Sequence, residues 1–220
     1  MYVRNNIANG NLKAKHWKHV KLGVCRPSLA EGRMPIPRAM AVKWNPPEHP
    51  WLKLNTDGAF SESTGRAGGR GIIRDHSGRL IAAFTAPLDA HSTLEAELLA
   101  MHHGLLLARE FAQPIWVESD AAQAISLAKG SGWGPAHSRR AMAHLALHRR
   151  YGDFRISFTL REGNKAADLL AKMGLEIEEQ TRFNNQTTPR LLKAILRMQE
   201  MGIPNIRVCD EDLVVDSIPR

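Results

Sequence analysis

Apolar and polar residues alternate in several short stretches after residue 50, and this period of two predicts β-strands. Leu52–Phe60 is the clearest stretch, and Arg70–Asp75 and Leu80–Ala86 follow it after short segments rich in turn residues. Three strands joined in this way are typical of an antiparallel meander. Ile115–Ser119 and Phe154–Leu160 predict a fourth and a fifth strand.

Helical spacing of apolar residues separates the later strands. We predict helices from His91–Thr93 to about Phe111, over Ala121–Lys129, over Pro135–Tyr151 and over Lys165–Met173. Ser92 or Thr93 can cap the first helix, because a side-chain oxygen there can accept a backbone N–H bond. The fourth strand follows a helix, so we expect it to run parallel to its neighbour.

The first helix carries one face of small residues that suits close packing on a sheet. Glu97, Met101, Gly104 and Ala108 share this face at helical spacing. Glu95 lies about 200° away from Glu97 on the helix wheel. We therefore expect Glu97 to face the sheet and Glu95 to lie nearer to solvent.

The two ends of the chain are less regular than its middle. Residues 1–50 contain nine Lys and Arg residues, two acidic residues and several prolines. Residues 176–220 contain six Lys and Arg residues and eight acidic residues. We predict a flexible basic Pro-containing extension over 1–50, a folded domain over 51–175, and a C-terminal tail with one helix at about 189–201. The tail could dock on the domain or bind a protein partner.

Charge and composition bound the partners and the compartment. The net charge of +8 lies mostly on residues 1–50, which could attract nucleic acid, or could form a basic tail with no dedicated partner. Cys25 and Cys209 do not form a disulfide framework, and no apolar run is long enough for a membrane span. We expect an intracellular monomer, nuclear or cytoplasmic, without membrane contact.

Acidic residues stand at four places where the predicted elements could converge. They are Asp57 on the first strand, Glu97 on the first helix, Asp120 after the fourth strand and Asp168 on the last helix of the domain. An isolated acid at a strand end could simply cap a turn. A cluster of acids repels itself and is tolerated when divalent cations neutralise it. Hard oxygen ligands select Mg²⁺ or Mn²⁺, and two such ions are the usual device for phosphodiester cleavage.

Four segments that contain these acids resemble type 1 ribonuclease H in order and in element type. They are Asn55–Ala59, Glu95–Ala100, Glu118–Ala121 and Arg161–Ala171. The resemblance covers about residues 51–175 and is greatest to the reverse-transcriptase-associated ribonuclease H-like domains of plant retroelements. It implies an α/β fold with a five-stranded mixed sheet, ordered 3-2-1-4-5 and flanked by helices.

The same resemblance implies endonucleolytic cleavage of the RNA strand of an RNA–DNA hybrid, with two Mg²⁺ ions, Mn²⁺ being possible. It places catalysis and metal ligation on Asp57, Glu97, Asp120 and Asp168. RNA would be distinguished from DNA by contacts to the 2′-hydroxyl. Candidate nucleic-acid contacts lie at Gly58, Ser119 and Asn164, with Arg139 and Arg140 as basic residues that could also be a solvated helix face.

Two further features bear on function. Phe158, or the adjacent Thr159, stands where the family usually has a histidine thought to assist proton transfer or product release, and phenylalanine cannot transfer a proton. A catalytically weak or inactive, retroelement-derived nucleic-acid-binding domain is therefore the alternative. His144 and His148 are four residues apart, which is metal-ligand spacing, but without a matching motif we interpret them as surface or packed histidines.

Overall fold

The computed structural model describes residues 38–130, 134–148, 154–174 and 178–209. The strands are β1 (Arg38–Val42), β2 (Leu52–Phe60), β3 (Ala67–Arg74), β4 (Leu80–Leu88), β5 (Ile115–Ser119), β6 (Phe154–Phe158), β7 (Thr181–Phe183) and β8 (Asn205–Cys209). The α-helices are α1 (Thr93–Ala108), α2 (Ala122–Lys129), α3 (Arg139–His148), α4 (Lys165–Gly174) and α5 (Arg190–Glu200). Short 3₁₀ turns cover Arg109–Phe111 and Ala136–Ser138. Most of the predicted basic extension, residues 1–37, lies outside the described ranges.

Six strands form one mixed sheet in the order β6-β5-β2-β3-β4-β7. Strands β2, β3, β4 and β7 pair antiparallel, whereas β2 with β5 and β5 with β6 pair parallel. The five predicted strands are thus neighbours in the expected order, and β7 is an additional edge strand beyond β4. The sheet and its flanking helices form the α/β fold that the resemblance implies.

Helix α1 covers the centre of one face of the sheet. Ser92 caps it by accepting the Glu95 backbone N–H, as the sequence predicts. Gly104 lies directly on Leu54 of β2, because a Cβ on that glycine would come within 2.7 Å of the leucine side chain. A continuous apolar core joins this face of the sheet to α1, α2 and α3, and it includes Leu54, Leu98, Val117, Ile125 and Leu145.

The opposite face of the sheet is covered by α4 and α5. Its smaller apolar core includes Ile72, Ala83, Leu170, Leu192 and Leu196. Because both faces are covered, β3 is buried along its whole length. This arrangement explains why the central strands contain few exposed polar residues.

The folded unit extends beyond residues 51–175. The indole of Trp44, which the sequence pattern placed in the extension, is 2% exposed and donates its Nε1–H to Asn55 Oδ1 at 2.9 Å. The Arg74 guanidinium lies 3.4 Å from the centre of that indole, and its Nη1 donates to Gln199 Oε1 of α5 at 2.6 Å. Residues on both sides of the predicted domain therefore complete a buried polar cluster beneath the sheet.

Three further observations concern the remaining strands and the described helices. Strands β1 and β8 form a separate two-stranded sheet. The tail helix lies at Arg190–Glu200, within one residue of its predicted limits. Among the described helices, none combines the length and the apolar character that crossing a lipid bilayer requires.

Candidate metal centre

Three of the four predicted acids meet at one end of the sheet. Asp57, Glu97 and Asp120 each offer a carboxylate oxygen, and these atoms all lie within 4.8 Å of one another. Strands β2 and β5 run parallel with Asn55 opposite Glu118. Asp57 and Asp120 each lie two residues beyond that pair, so the register brings their carboxylates together. We call these three residues the acidic trio.

Glu97 reaches the trio because α1 presses onto β2 at Gly58. A Cβ on Gly58 would lie 2.3 Å from the carbonyl carbon of Ala96 and 2.4 Å from the amide nitrogen of Glu97. The Gly58 backbone N–H bonds to the Glu97 carboxylate. Ser119 Oγ also donates to Glu97 Oε2, at a longer distance of 3.4 Å. Gly58 and Ser119, which were predicted as nucleic-acid contacts, therefore position a member of the trio.

Burial and mutual repulsion raise the pKa of two members of the trio, Glu97 and Asp57. Burial, followed by the charges of Asp57 and Asp120, raises the pKa of Glu97 to about 9. Burial also raises the pKa of Asp57 above its usual range. Both effects favour the protonated form of Glu97 when no cation is bound. The carboxylate oxygens of buried Glu97 and of half-buried Asp57 and Asp120 fit a hard divalent cation such as Mg²⁺ or Mn²⁺, which would take the place of a proton.

Asp120 is held in place by Asn164 at the start of α4. The Asn164 side-chain amide donates to Asp120 Oδ1 at 2.8 Å and to the Thr56 backbone carbonyl at 2.9 Å. Asn164 is 1% exposed. One N–H of the amide thus positions Asp120 and the other ties α4 to β2 at Thr56, while the nucleic-acid contact at Asn164 stays a prediction.

Asp168 lies beside the trio rather than within it. Its Oδ1 accepts from Arg161 Nη2 at 3.2 Å, and its side chain is 29% exposed. Its charge still contributes to the raised pKa of Asp57. Asp168 and Arg161 line an open cleft of about 230 Å³ together with Lys165 and Asn205. Metal ligation by Asp168 thus stays a prediction.

Arg70 also contacts the trio, although no sequence pattern assigns it to the site. It lies directly opposite Asp57 in the β2–β3 pairing. Its Nε donates to Asp57 Oδ2 at 2.8 Å, and its side chain is 2% exposed. The sequence predicts both strands but not their register, and only the register shows that these two residues face each other.

The predicted basic residues of α3 have a different environment. Arg139 and Arg140 are exposed at the beginning of the helix. Arg140 donates to Asp89 and, at 3.3 Å, to Glu95 Oε1. The expectation that Glu95 lies near solvent is wrong, since Glu95 is 2% exposed and its Oε2 also accepts the His91 backbone N–H at 2.9 Å. A residue far away in sequence covers it, and a helix wheel cannot show that.

Histidines of α1 and α3 pack against one another away from the trio. His102 Nδ1 and His148 Nε2 are 2.9 Å apart, and the ring of His144 stacks on that of His102 with centroids 4.4 Å apart. Burial lowers the pKa of His102 and of His148 to about 4. The interpretation of His144 and His148 as packed histidines is confirmed. Over the described residues, the acidic trio alone offers three ligand atoms this close together.

Phe158 ends β6 opposite Ser119 of β5. Its side chain is 48% exposed. The next residue, Thr159, donates its backbone N–H to the Ser119 carbonyl at 3.0 Å, so the position of the expected histidine lies immediately beside the strand that carries Asp120. Where the resemblance implies a histidine, the chain has the exposed apolar ring of Phe158 followed by Thr159.

Comparison with known proteins agrees with this geometry. A family model described as reverse transcriptase-like matches residues 55–174. An Arabidopsis thaliana protein named "Putative ribonuclease H protein" is 27% identical over 191 residues, which is 85% of this chain. The chain spans only 29% of that relative's length.

Solved structures show the same fold. Ribonuclease H1 of the halophilic archaeon Halobacterium salinarum superposes with a TM-score of 0.51 at 20% identity, over 55% of this chain and 93% of its own. LC11 ribonuclease H1, crystallised with an RNA/DNA hybrid, gives a TM-score of 0.52 at 19% identity, over 57% of this chain and 96% of its own. At these identities the likeness extends to the fold alone.

Proposed function

The chain belongs to the reverse transcriptase-like family, and from this premise we propose that it is a metal-dependent endonuclease that hydrolyses the RNA strand of RNA–DNA hybrids. The acidic trio carries the proposal, because three carboxylate oxygens within 4.8 Å of one another are costly without a bound cation. The ribonuclease H-like fold and the hybrid bound by a structural neighbour support the choice of substrate.

Asp57, Glu97 and Asp120 would hold the divalent ions, and Asp168 would approach from the adjacent cleft. A pair of such ions, when bound, activates a water for in-line attack on phosphorus and stabilises the leaving oxygen. The chain's own part is to fix the carboxylates. Gly58 and Ser119 hold Glu97, and Asn164 holds Asp120 at 2.8 Å.

Substrate contacts follow from what remains exposed around the trio. Arg161 and Lys165 line the cleft beside Asp168 and could contact phosphates. The backbone around Gly58 and Ser119 could meet the 2′-hydroxyls that distinguish RNA from DNA. Arg139 is exposed on α3 and could bind the backbone of the hybrid at a greater distance from the trio.

A cleavage assay on an end-labelled RNA–DNA hybrid tests the proposal. We expect RNA cleavage with Mg²⁺ or Mn²⁺ and none with EDTA. Asp57→Asn and Asp120→Asn should each reduce the rate by about 100-fold or more, because each removes a charged oxygen ligand. Glu110→Gln is the matched control, since Glu110 is half exposed and pairs with Arg182 rather than with the trio.

The same assay can refute the proposal. A wild-type protein that binds Mn²⁺ but leaves the hybrid intact under all metal conditions would show that the trio does not cut RNA. Equal rates for Asp120→Asn and Glu110→Gln would show that any cleavage comes from elsewhere.

The alternative is a domain that binds nucleic acid without cutting it. The exposed Phe158 favours this alternative, because the expected proton-transferring histidine is absent from the end of β6. It predicts salt-dependent hybrid binding, with no product, that survives Asp57→Asn. A protein partner on the tail is a separate prediction, and the exposed apolar Leu191 and Met198 of α5 are consistent with it.

A further inference from the structure

Arg70 is a buried cation in direct contact with the acidic trio. Its Nε–H donates to Asp57 Oδ2 at 2.8 Å, and the side chain is 2% exposed. It is anchored on β3, between Asp57 on one neighbouring strand and Thr85 on the other. The guanidinium is therefore held within the central part of the sheet, beside Asp57.

The hydrogen bonding of Arg70 is incomplete. Its Nη1 is buried and has no hydrogen-bond partner among the described residues. A buried guanidinium with an unused donor is destabilising unless a negative charge compensates it. The neighbouring acids supply that charge. Arg70 in turn lowers the pKa of both Asp57 and Glu97, against the larger effect of burial.

Arg70 and a divalent cation would compete for the same carboxylate. Asp57 Oδ2 already accepts a charge-assisted bond, which is among the stronger hydrogen bonds in proteins. A cation on the trio must either share that oxygen or displace the Nε–H from it. The positive charge of Arg70 also repels the incoming ion at short range.

We propose that Arg70 is a resident counter-ion of the acidic trio, which weakens the binding of divalent cations and couples it to release of Asp57 Oδ2. This inference rests on the proposed function, because it requires that divalent cations bind the trio. Arg70 is a positioning residue in this scheme, since it acts on the ions through Asp57. Its presence keeps the unliganded trio folded and partly neutral.

Calorimetric titration with Mn²⁺ tests the proposal without any measurement of activity. Arg70→Gln keeps a side-chain donor but removes the charge, and we expect it to bind Mn²⁺ about 10-fold more tightly or better. Arg70→Lys is the matched control, because it keeps the charge, and its affinity should stay within about 3-fold of wild type. An affinity of Arg70→Gln equal to or weaker than that of wild type would overturn the proposal.

Thermal unfolding separates this role from a purely structural one. Arg70→Gln should melt below wild type in EDTA, because the trio loses its counter-ion, and saturating Mn²⁺ should raise its melting temperature more than that of wild type. A decrease of the same size with and without Mn²⁺ would mean that Arg70 serves packing alone.

A measurement on the wild-type protein covers the case in which Arg70→Gln fails to fold. In an NMR titration with diamagnetic Mg²⁺, the ¹⁵Nε–Hε resonance of Arg70 should shift with the same midpoint as metal binding. A resonance that does not move while Mg²⁺ binds would overturn the proposal.

The titrations distinguish failure of the proposed function from failure of the role of Arg70. If wild type and Arg70→Gln both bind no Mn²⁺, the proposed function fails and this inference fails with it. If wild type binds Mn²⁺ and cuts the hybrid but Arg70→Gln binds no more tightly, the inference alone fails.

Discussion

Replacing Gly58 by alanine adds a single methyl group, but it should strongly lower the stability of the folded protein. The added Cβ would lie 2.3 Å from the carbonyl carbon of Ala96, 2.4 Å from its oxygen and 2.4 Å from the amide nitrogen of Glu97. Real Cβ atoms essentially never come this close to another heavy atom. Backbone atoms cannot rotate away as a side chain can, so α1 and β2 must separate.

The expected loss in free energy of unfolding follows from the buried position of these backbone atoms. Overpacking a core typically costs 1–3 kcal/mol, and we expect about 3 kcal/mol here because both colliding segments are central and buried. For a domain of this size that corresponds to a loss of roughly 6–12 °C in melting temperature. Glu97 moves with the helix, so Mn²⁺ affinity should fall even where the variant remains folded.

Urea unfolding of three glycine variants provides the assay. In Gly65→Ala the added Cβ has no atom within 4 Å, so only the φ of +66° should destabilise the variant, by about 1 kcal/mol. Gly104→Ala meets the Leu54 side chain at 2.7 Å, which can partly adjust, and should fall between the other two. If Gly58→Ala were no less stable than Gly65→Ala, α1 would not be pressed onto β2 as described.

Three other predictions concern the buried Lys53–Glu118 pair, the packed histidines and the exposed Phe158. Lys53 is 2% exposed and its Nζ lies 2.8 Å from Glu118 Oε1. Lys53→Met should therefore lower the free energy of unfolding in urea by about 3–5 kcal/mol, and adding Glu118→Gln should restore part of it. Full stability of the single variant would contradict this prediction. The pKa of His102 and of His148 is about 4 in the folded protein, below the unfolded value near 6.5. As the pH falls, the unfolded chain therefore binds protons before the folded protein does. The free energy of unfolding should fall by about 2 kcal/mol between pH 6.5 and pH 4, after allowance for solvent screening. A free energy of unfolding that does not change over this range would refute the packing of these rings. Phe158→His should raise the single-turnover rate of hybrid cleavage by about 10-fold at unchanged hybrid affinity, and an unchanged rate would show that no proton transfer is missing there.

Regular elements could be predicted from the sequence where a strong period meets clear turn residues. Leu52–Phe60 and Ile115–Ser119 have the same limits in the structure as in the prediction. Strand β7 was missed because Thr181–Phe183 is too short to show a period. Its pairing with β4 depends on long-range contacts that no local pattern records.

The sequence predicts which acidic residues form the candidate site, but not which other side chains contact them. Asp57, Glu97 and Asp120 could be named from their places on elements, and the structure brings their oxygens within 4.8 Å. Arg70 could not be assigned to the site, because its position depends on the register of β2 and β3. Glu95 was misplaced because Arg140, from a helix 45 residues away, covers it.

The polar cluster around Trp44 sets a minimum length for any working fragment of this protein. A fragment trimmed to the family match, residues 55–174, would lack both Trp44 and Gln199. The guanidinium of Arg74, now 0% exposed, would lose its aromatic cover and one hydrogen-bond acceptor and would have to be hydrated beneath the central strands. Such a fragment would keep every carboxylate of the acidic trio and yet be prone to unfold and aggregate.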